Sequence, residues 1–196
     1  GGLAAFTTTT LLHIENTKLD ENRAVRKEGG GCFLLDLKMC LITNSSVVNN
    51  FAGVKGAGIR INQFMFQAAA ELLMIQNTKF VNNKADINSG GGCYLQNIIN
   101  YLIVNSLFSN NFANSKGGGM RIYVTIFRAA ELVKIENTKF INNTANIKSG
   151  GGCYLEDRKI CIIINSLFEN NSAYGKGGAI RIYYMKISVI QNTLFK

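Results

Sequence analysis

The sequence predicts an all-β chain wound as a parallel β-helix, and three observations carry that expectation. One motif recurs from end to end, and successive copies of its first Asn or of its glycine cluster lie 27–34 residues apart. Within each copy the apolar residues fall at i and i+2, as in Cys153-Tyr154-Leu155 and Cys161-Ile162-Ile163, which is the period of strands. Glycine clusters punctuate the copies and Pro is absent, so no ladder hydrogen bond is deleted. Units this short, with turns and no helical stretch, suit one solenoid coil whose strands stack about 4.8 Å above their counterparts. The expectation is about 6.5 coils of three strands each, right-handed by the crossover rule.

Each position of the repeat has a reason. The first Asn stands at Asn16, Asn44, Asn77, Asn105, Asn137, Asn165 and Asn192, always with Ile two residues before it and Thr or Ser directly after. Three residues after it comes Leu19, Val47, Phe80, Phe108, Phe140, Phe168 or Phe195. Six copies continue to a second Asn (Asn22, Asn50, Asn83, Asn111, Asn143, Asn171), an Ala, and a glycine cluster opening at Gly29, Gly56, Gly90, Gly117, Gly150 or Gly177. Identical inward residues stack along the axis, so the Ile, Phe and Ala columns are read as apolar ladders. The first Asn is read as an inward amide ladder at a bend where water is excluded. The Thr or Ser hydroxyls beside it are expected to bond the bend. The glycines supply positive φ at the corner that closes the coil.

The sequences Phe80-Val81-Asn82-Asn83, Phe108-Ser109-Asn110-Asn111, Phe140-Ile141-Asn142-Asn143 and Phe168-Glu169-Asn170-Asn171 read FxxN, and Gly177-Gly178-Ala179-Ile180 reads GGAI. Paired repeats of this kind resemble those of the chlamydial polymorphic membrane proteins and of large pectin-lyase-like surface proteins of bacteria and protists. The resemblance covers essentially the whole chain. It implies a right-handed β-helix of extracellular or cell-surface, adhesive character and carries over no catalytic residue. The other glycine clusters depart from GGAI, reading GAGI, GGGM or GGGC.

Residues 1–196 are expected to form a single β-helix segment, a slice of a longer solenoid truncated at both ends, because neither end shows a polar cap. No apolar run reaches the ~18 residues of a membrane span, and no secretory signal is visible. Length variation collects in one connector. Its two long copies carry Phe66-Gln67-Ala68-Ala69-Ala70-Glu71-Leu72 and Phe127-Arg128-Ala129-Ala130-Glu131-Leu132, whose composition favours a helical turn bulging from one edge.

Candidate binding residues come from a column just after the glycines: Phe33, Arg60, Tyr94, Arg121, Tyr154 and Arg181, aromatic and Arg alternating coil by coil. On the outward face each guanidinium would lie between two rings. Arg and aromatics dominate recognition hot spots, which makes this a candidate glycan- or partner-binding stripe; a register-fixing ladder is the alternative. Among the cysteines, Cys32–Cys40 and Cys153–Cys161 repeat a spacing of 8 across the same connector, so two intra-coil disulfides are conceivable in an oxidising compartment. Free core thiols are the other reading, and Cys93 without a partner at that spacing favours it. Sequons stand at Asn44, Asn142 and Asn170; Asn44 is expected to be inaccessible in its ladder, leaving Asn142 and Asn170 as candidate glycan acceptors.

Net charge is +9, but its lysines follow the repeat (Lys18, Lys79, Lys139; Lys55, Lys116, Lys176), and without a nucleic-acid motif they read as solvated faces. Polysaccharide-cleaving chemistry needs clustered carboxylates. The 12 acidic residues, Asp36, Glu71, Glu131, Glu156, Asp157 and Glu169 among them, scatter over different coils, and His13 has no evident partner. No catalytic, metal or cofactor-binding residue is assigned. The Thr/Ser column as an ice-binding array lacks a second regular rank. The reading is a non-catalytic structural or adhesive segment of a large surface protein, a stiff spacer or assembly unit whose partners are proteins, glycans or its own copies, end to end or laterally. The rival is a carbohydrate-binding or polysaccharide-degrading protein whose catalytic residues lie outside this slice.

Overall fold

The computed structural model describes residues 2–6, 10–63, 70–125, 131–156 and 159–196. All strand pairings are parallel and in register from coil to coil. The first sheet takes Leu3–Phe6, Cys32–Leu35, Ile59–Asn62, Cys93–Gln96, Met120–Tyr123, Cys153–Glu156 and Ile180–Tyr183. The second takes Leu11–Glu15, Met39–Thr43, Ala70–Gln76, Ile98–Val104, Leu132–Glu136, Ile160–Ile164 and Ile187–Gln191. The third runs from Lys18–Asp20 through strands such as Lys79–Val81 to Leu194–Phe195. Strands such as Lys84–Ala85 and Phe112–Ala113 form a fourth sheet, where the sequence suggested three. Two-residue strands are too short to show a period of two, and only the Ala column betrays them.

The interior is built of columns. Phe80, Phe108, Phe140 and Phe168 are solvent-free and stack with centroids 4.7–4.8 Å apart, the coil rise itself. Ile42, Ile75, Ile103, Ile135 and Ile163 pack beside them. The glycine corner is narrow for two distinct reasons. Gly90 needs its φ of +70°, whereas a Cβ at Gly119 would stand 2.5 Å from the Gly152 oxygen and 3.2 Å from the Phe140 ring. Ala179 fills the latter position in the final coil.

The two Asn columns do not divide as the sequence suggested. The first, from Asn16 to Asn192, adopts φ between 48° and 51° and is exposed, Asn44 included. A residue in the left-handed region resets the in–out alternation, so Ile42 points inward, Thr43 and Asn44 outward, and Ser45 inward again. The inward residue is the hydroxyl: Thr78 Oγ1 donates to the Gln76 carbonyl at 2.9 Å, and the Thr78 amide donates to Ser106 Oγ at 3.3 Å. The same device recurs one bend later. Asn49, Asn82, Asn110, Asn142 and Asn170 take the positive φ and face solvent. Their neighbours Asn50, Asn83, Asn111 and Asn143 are buried.

These buried amides bond coil to coil. Asn83 Oδ1 accepts from the Asn50 backbone (3.1 Å) and side-chain (3.0 Å) amides. Asn83 Nδ2 donates to the Val47 carbonyl and to Asn111 Oδ1, each at 2.9 Å. The links continue from Asn22 to Asn171, so each interior amide is saturated by its own kind.

The helical turns expected in the long connectors are overturned where described. Ala70-Glu71-Leu72 belongs to a strand, with the Glu71 amide donating to the Lys38 carbonyl at 2.7 Å, and Leu132 opens another. Helix propensity differs by tenths of a kcal/mol per residue and yields to sheet pairing. Residues 66–69 and 127–130 lie outside the described residues.

Candidate functional site

The glycine corner delivers the chain directly into the first sheet, so the residue after each corner strand's first position points away from the core. Register pairs Phe33 with Arg60, Arg60 with Tyr94, Tyr94 with Arg121, Arg121 with Tyr154, and Tyr154 with Arg181. The column is therefore continuous. It is not, however, an open stripe. Arg60 and Tyr94 are each 2% exposed, Tyr154 5% and Arg121 8%; only Phe33 and Arg181, toward the ends, are half-buried.

The cover comes from the segments between the fourth sheet and the glycines, which fold back over the outer face. Arg60 Nε donates to Glu28 Oε2 at 2.9 Å, Nη1 to the Ile61 carbonyl at 2.8 Å, and Nη2 to Gln96 Oε1 at 2.7 Å. Arg121 Nη1 donates to Ser89 Oγ at 2.8 Å, while its Nη2 stands 3.7 Å from Glu156 Oε2. Lys55 and Lys116 close the seam, 5.3 Å from the Tyr94 ring and 4.4 Å from the Tyr154 ring, and Lys116 Nζ donates to the Tyr154 hydroxyl at 3.1 Å. The Arg60 guanidinium carbon lies 4.2 Å from the Tyr94 centroid. Arg121 sits between two rings as the alternation suggested, 5.1 Å from Tyr94 and 5.6 Å from Tyr154, and 4.9 Å from Tyr123.

Removal from water governs the chemistry of this seam. Burial pulls the Arg60 guanidinium down, opposed by Glu28, and pushes the Tyr94 and Tyr154 phenols up. Lys116 is lowered by burial and by the neighbouring Arg121. A contact such as Arg60–Tyr94, excluded from solvent, is worth up to ~2 kcal/mol rather than the ~0.5–1 of an exposed one. The seam glues an outer layer to the first sheet; its aromatic faces are already occupied. Glu28, Ser89, Gln96 and Glu156 were not read as partners of the stripe because residue type varies from coil to coil in the columns they occupy. Glu28 and Ser89 do each directly precede a corner glycine, which was the available signal.

The seam opens near its start. A cleft of about 750 Å³ is lined by Leu3, Ala4, Arg26, Lys27, Glu28, Phe33 and Val54, with Ala4 occupying the column position that Arg or an aromatic holds elsewhere.

All five cysteines, Cys32, Cys40, Cys93, Cys153 and Cys161, are buried as thiols, and none is joined in a disulfide in the structure. Burial pushes the Cys32 and Cys40 thiols up to about 12 and raises those of Cys93 and Cys153. Thiols held in this state are poor nucleophiles and poor metal ligands. Of the sequons, Asn142 and Asn170 are exposed, and so is Asn44, contrary to its expected burial. His13 Nε2 meets Thr43 Oγ1 at 2.9 Å on the surface. Among the described residues no group of three or more His, Cys, Asp and Glu side chains is placed to hold a metal ion, and no helix is long and apolar enough to cross a membrane.

The Chlamydia polymorphic membrane protein repeat family matches residues 165–183, which contain both Phe168-to-Asn171 and the GGAI of residues 177–180. Over 154 residues, 76% of this chain, the sequence is 30% identical to the probable autotransporter YfaL of Escherichia coli (strain K12). The chain spans 12% of that relative's length. No solved structure matches it significantly.

Proposed function

We propose that this β-helix of polymorphic-membrane-protein-like repeats is a stiff, non-catalytic segment of a large surface protein of autotransporter passenger type, serving as a spacer or assembly unit. One observation carries the reading: the inward positions of the central coils are filled by continuous columns, and the outward Arg–aromatic column is sealed under its own loops. Such a coil has neighbours only above and below it, so the segment behaves as a rod whose length is the coil count times about 4.8 Å.

In-register deletion tests this. Removing residues 77–136 from the full-length protein joins Gln76 to Asn137 and excises two coils, a shortening of about 10 Å. The expected outcome is unchanged export and folding with a projection shorter by that amount in cryo-electron tomography. Loss of a chemical activity on deletion, with folding and export intact, would sink the reading.

The cleft beside Phe33 favours a second reading, carbohydrate binding, because it presents an aromatic face with Arg26 and Lys27 close by. A glycan array read with Phe33→Ala and Arg26→Ala decides it. Glycan signals lost in both variants support the second reading; an array with no hits removes it.

A further inference from the structure

The outer face of the second sheet remains unexplained. Its strands are the longest in the molecule, and two of their three outward files are mainly apolar. Leu41, Met74, Leu102 and Ile162 lie in the middle file, interrupted by Lys134, and Met39, Leu72, Leu132 and Ile160 in the file beside it, interrupted by Asn100, while the third file is mostly polar. These side chains are half-buried only. On a chain of net charge +9 the described charged side chains of this face are Glu15, Lys134 and Glu136, the last two paired at 2.7 Å, with exposed Glu71 at its edge. The other long sheet covers its outer face with the Arg–aromatic seam, and the third sheet exposes Lys18, Lys79 and Lys139.

We propose that this face is a self-association surface whose occupant is a second copy of the chain, packed sheet on sheet. The inference deepens the assembly-unit reading and rests on it. Three arguments favour a second copy. Side chains here stand on a regular grid, about 4.8 Å between coils and ~6.6 Å along each strand, and a face with that same grid interdigitates with it at the ~10 Å spacing of stacked sheets. The near-neutral patch spares two cationic chains direct repulsion at the contact. Seven strands of five residues make a flat patch of roughly 450 Å² per copy, so a pair buries about 1,000 Å² once side-chain relief is included, near the lower bound for a specific interface. That size fits a weak contact that grows as a solenoid lengthens.

Sedimentation of the chain from roughly 5 µM to 1 mM, the range of weak interfaces, reads the proposal directly. Wild type is expected to pass from monomer to dimer. Leu41→Glu, Leu102→Glu and Ile162→Glu should each weaken dimerisation at least tenfold, with Leu102→Thr as the milder variant should a Glu disturb the strand; circular dichroism confirms folding. Lys79→Glu and Val81→Glu on the third sheet should dimerise as wild type does. A wild type that stays monomeric overturns the proposal. So does a dimer indifferent to all four second-sheet variants, which would lie elsewhere, such as at the coil ends. A monomer that pellets with phosphatidylserine vesicles, and no longer does so as Leu102→Glu, would give the face to a membrane surface instead. None of these failures touches the spacer reading, which the coil deletion tests separately.

Discussion

Two of the buried polar columns that run along this molecule solve the same problem in opposite ways. The Asn column inside the bend between the third and fourth sheets is homotypic: every interior member accepts from one neighbour and donates to the next, with identical partners. The Arg–aromatic column outside the first sheet is heterotypic, and its members depend on residues borrowed from other segments, Glu28 and Gln96 for Arg60, Ser89 and Glu156 for Arg121. Saturation follows from identity in the first case and from local accident in the second, where Arg121 Nε is left buried without a partner. A homotypic column can therefore be lengthened by any number of coils. A heterotypic one ties each pair of coils to particular cover, so it marks the part of the solenoid that is individual.

Alkali has the largest effect: the Asn column contains nothing that titrates, whereas Tyr94 of the heterotypic column and the thiols packed inside the first and second sheets do. Folded-state values above the unfolded ones stabilise the protein below the unfolded value, and that stability is lost as pH rises toward the folded value. Cys32 and Cys40 move from an unfolded value of 9.0 to about 12, and Tyr94 is displaced in the same direction. Stability is expected to be level from roughly pH 6 to 8, then to fall by about 1.4 kcal/mol per unit per thiol, near 5 kcal/mol by pH 11 from Cys32 and Cys40 alone, with Cys93 and Cys153 adding to the loss. Lys116, displaced downward, works weakly against this. Urea titrations of wild type and of Cys32→Ala/Cys40→Ala measure it: the double variant should lose the share due to these two thiols and keep the loss due to Cys93, Cys153 and the tyrosines. A wild-type curve that stays level to pH 11 would mean that the thiols are not held as the structure shows.

Within the homotypic column, Asn111→Ala is the severe change. It strands the Asn83 backbone amide and the Phe80 carbonyl in the core and removes a donor from Asn143. Unsatisfied groups cost about 1–3 kcal/mol each, giving a loss of roughly 3–5 kcal/mol in chemical denaturation. A loss below ~1 kcal/mol would show that water enters the bend.

The heterotypic column predicts inequality between residues of one type. Arg60→Met takes the donor from Gln96 and leaves Glu28 with only Lys55, 3.4 Å away, and should cost about 2–3 kcal/mol. Arg121→Met removes a group that already has an orphaned Nε and a long contact to Glu156, and should cost about 1 kcal/mol or less, since apolar replacement of a poorly satisfied buried charge is often neutral. Equal losses would dissolve the distinction drawn between the two arginines.

The difference between the columns also explains what the sequence could convey. The Phe80–Phe168 stack, the Ile column and the glycine corners were legible because identical residues recur at one period and physical demand is the same in each coil. Strict alternation misplaced Asn44 because it carries no mark for a left-handed residue that skips one beat. The pairs Asn-Thr and Asn-Asn do hold that mark, since Asn tolerates positive φ and the residue after it must then turn inward. Alternation did place the Arg–aromatic residues outward and in register. Their burial was hidden because the covering segments, around Glu28 and Ser89, change residue type from coil to coil and meet the seam only in three dimensions. The mainly apolar outer files of the second sheet carry no strict repeat, since Lys134 and Asn100 interrupt them, so the pattern that marks the inward columns does not mark this face.

Adjacent asparagines give the finest test of the homotypic device. Asn142 and Asn143 share a chemical type, yet the first supplies only a φ of 54° at the surface and the second only its inward amide. Asn142→Gly should change stability by no more than about 0.5 kcal/mol, because glycine reaches that φ without a Cβ penalty and loses only unfolded-state entropy. Asn142→Val should cost roughly 1–2 kcal/mol, because a β-branched side chain clashes in the left-handed region. Thermal denaturation resolves the two. If glycine proved as damaging as valine, the Asn142 side chain rather than its backbone would be what the bend requires, and both asparagines would then be holding the coil by their amides.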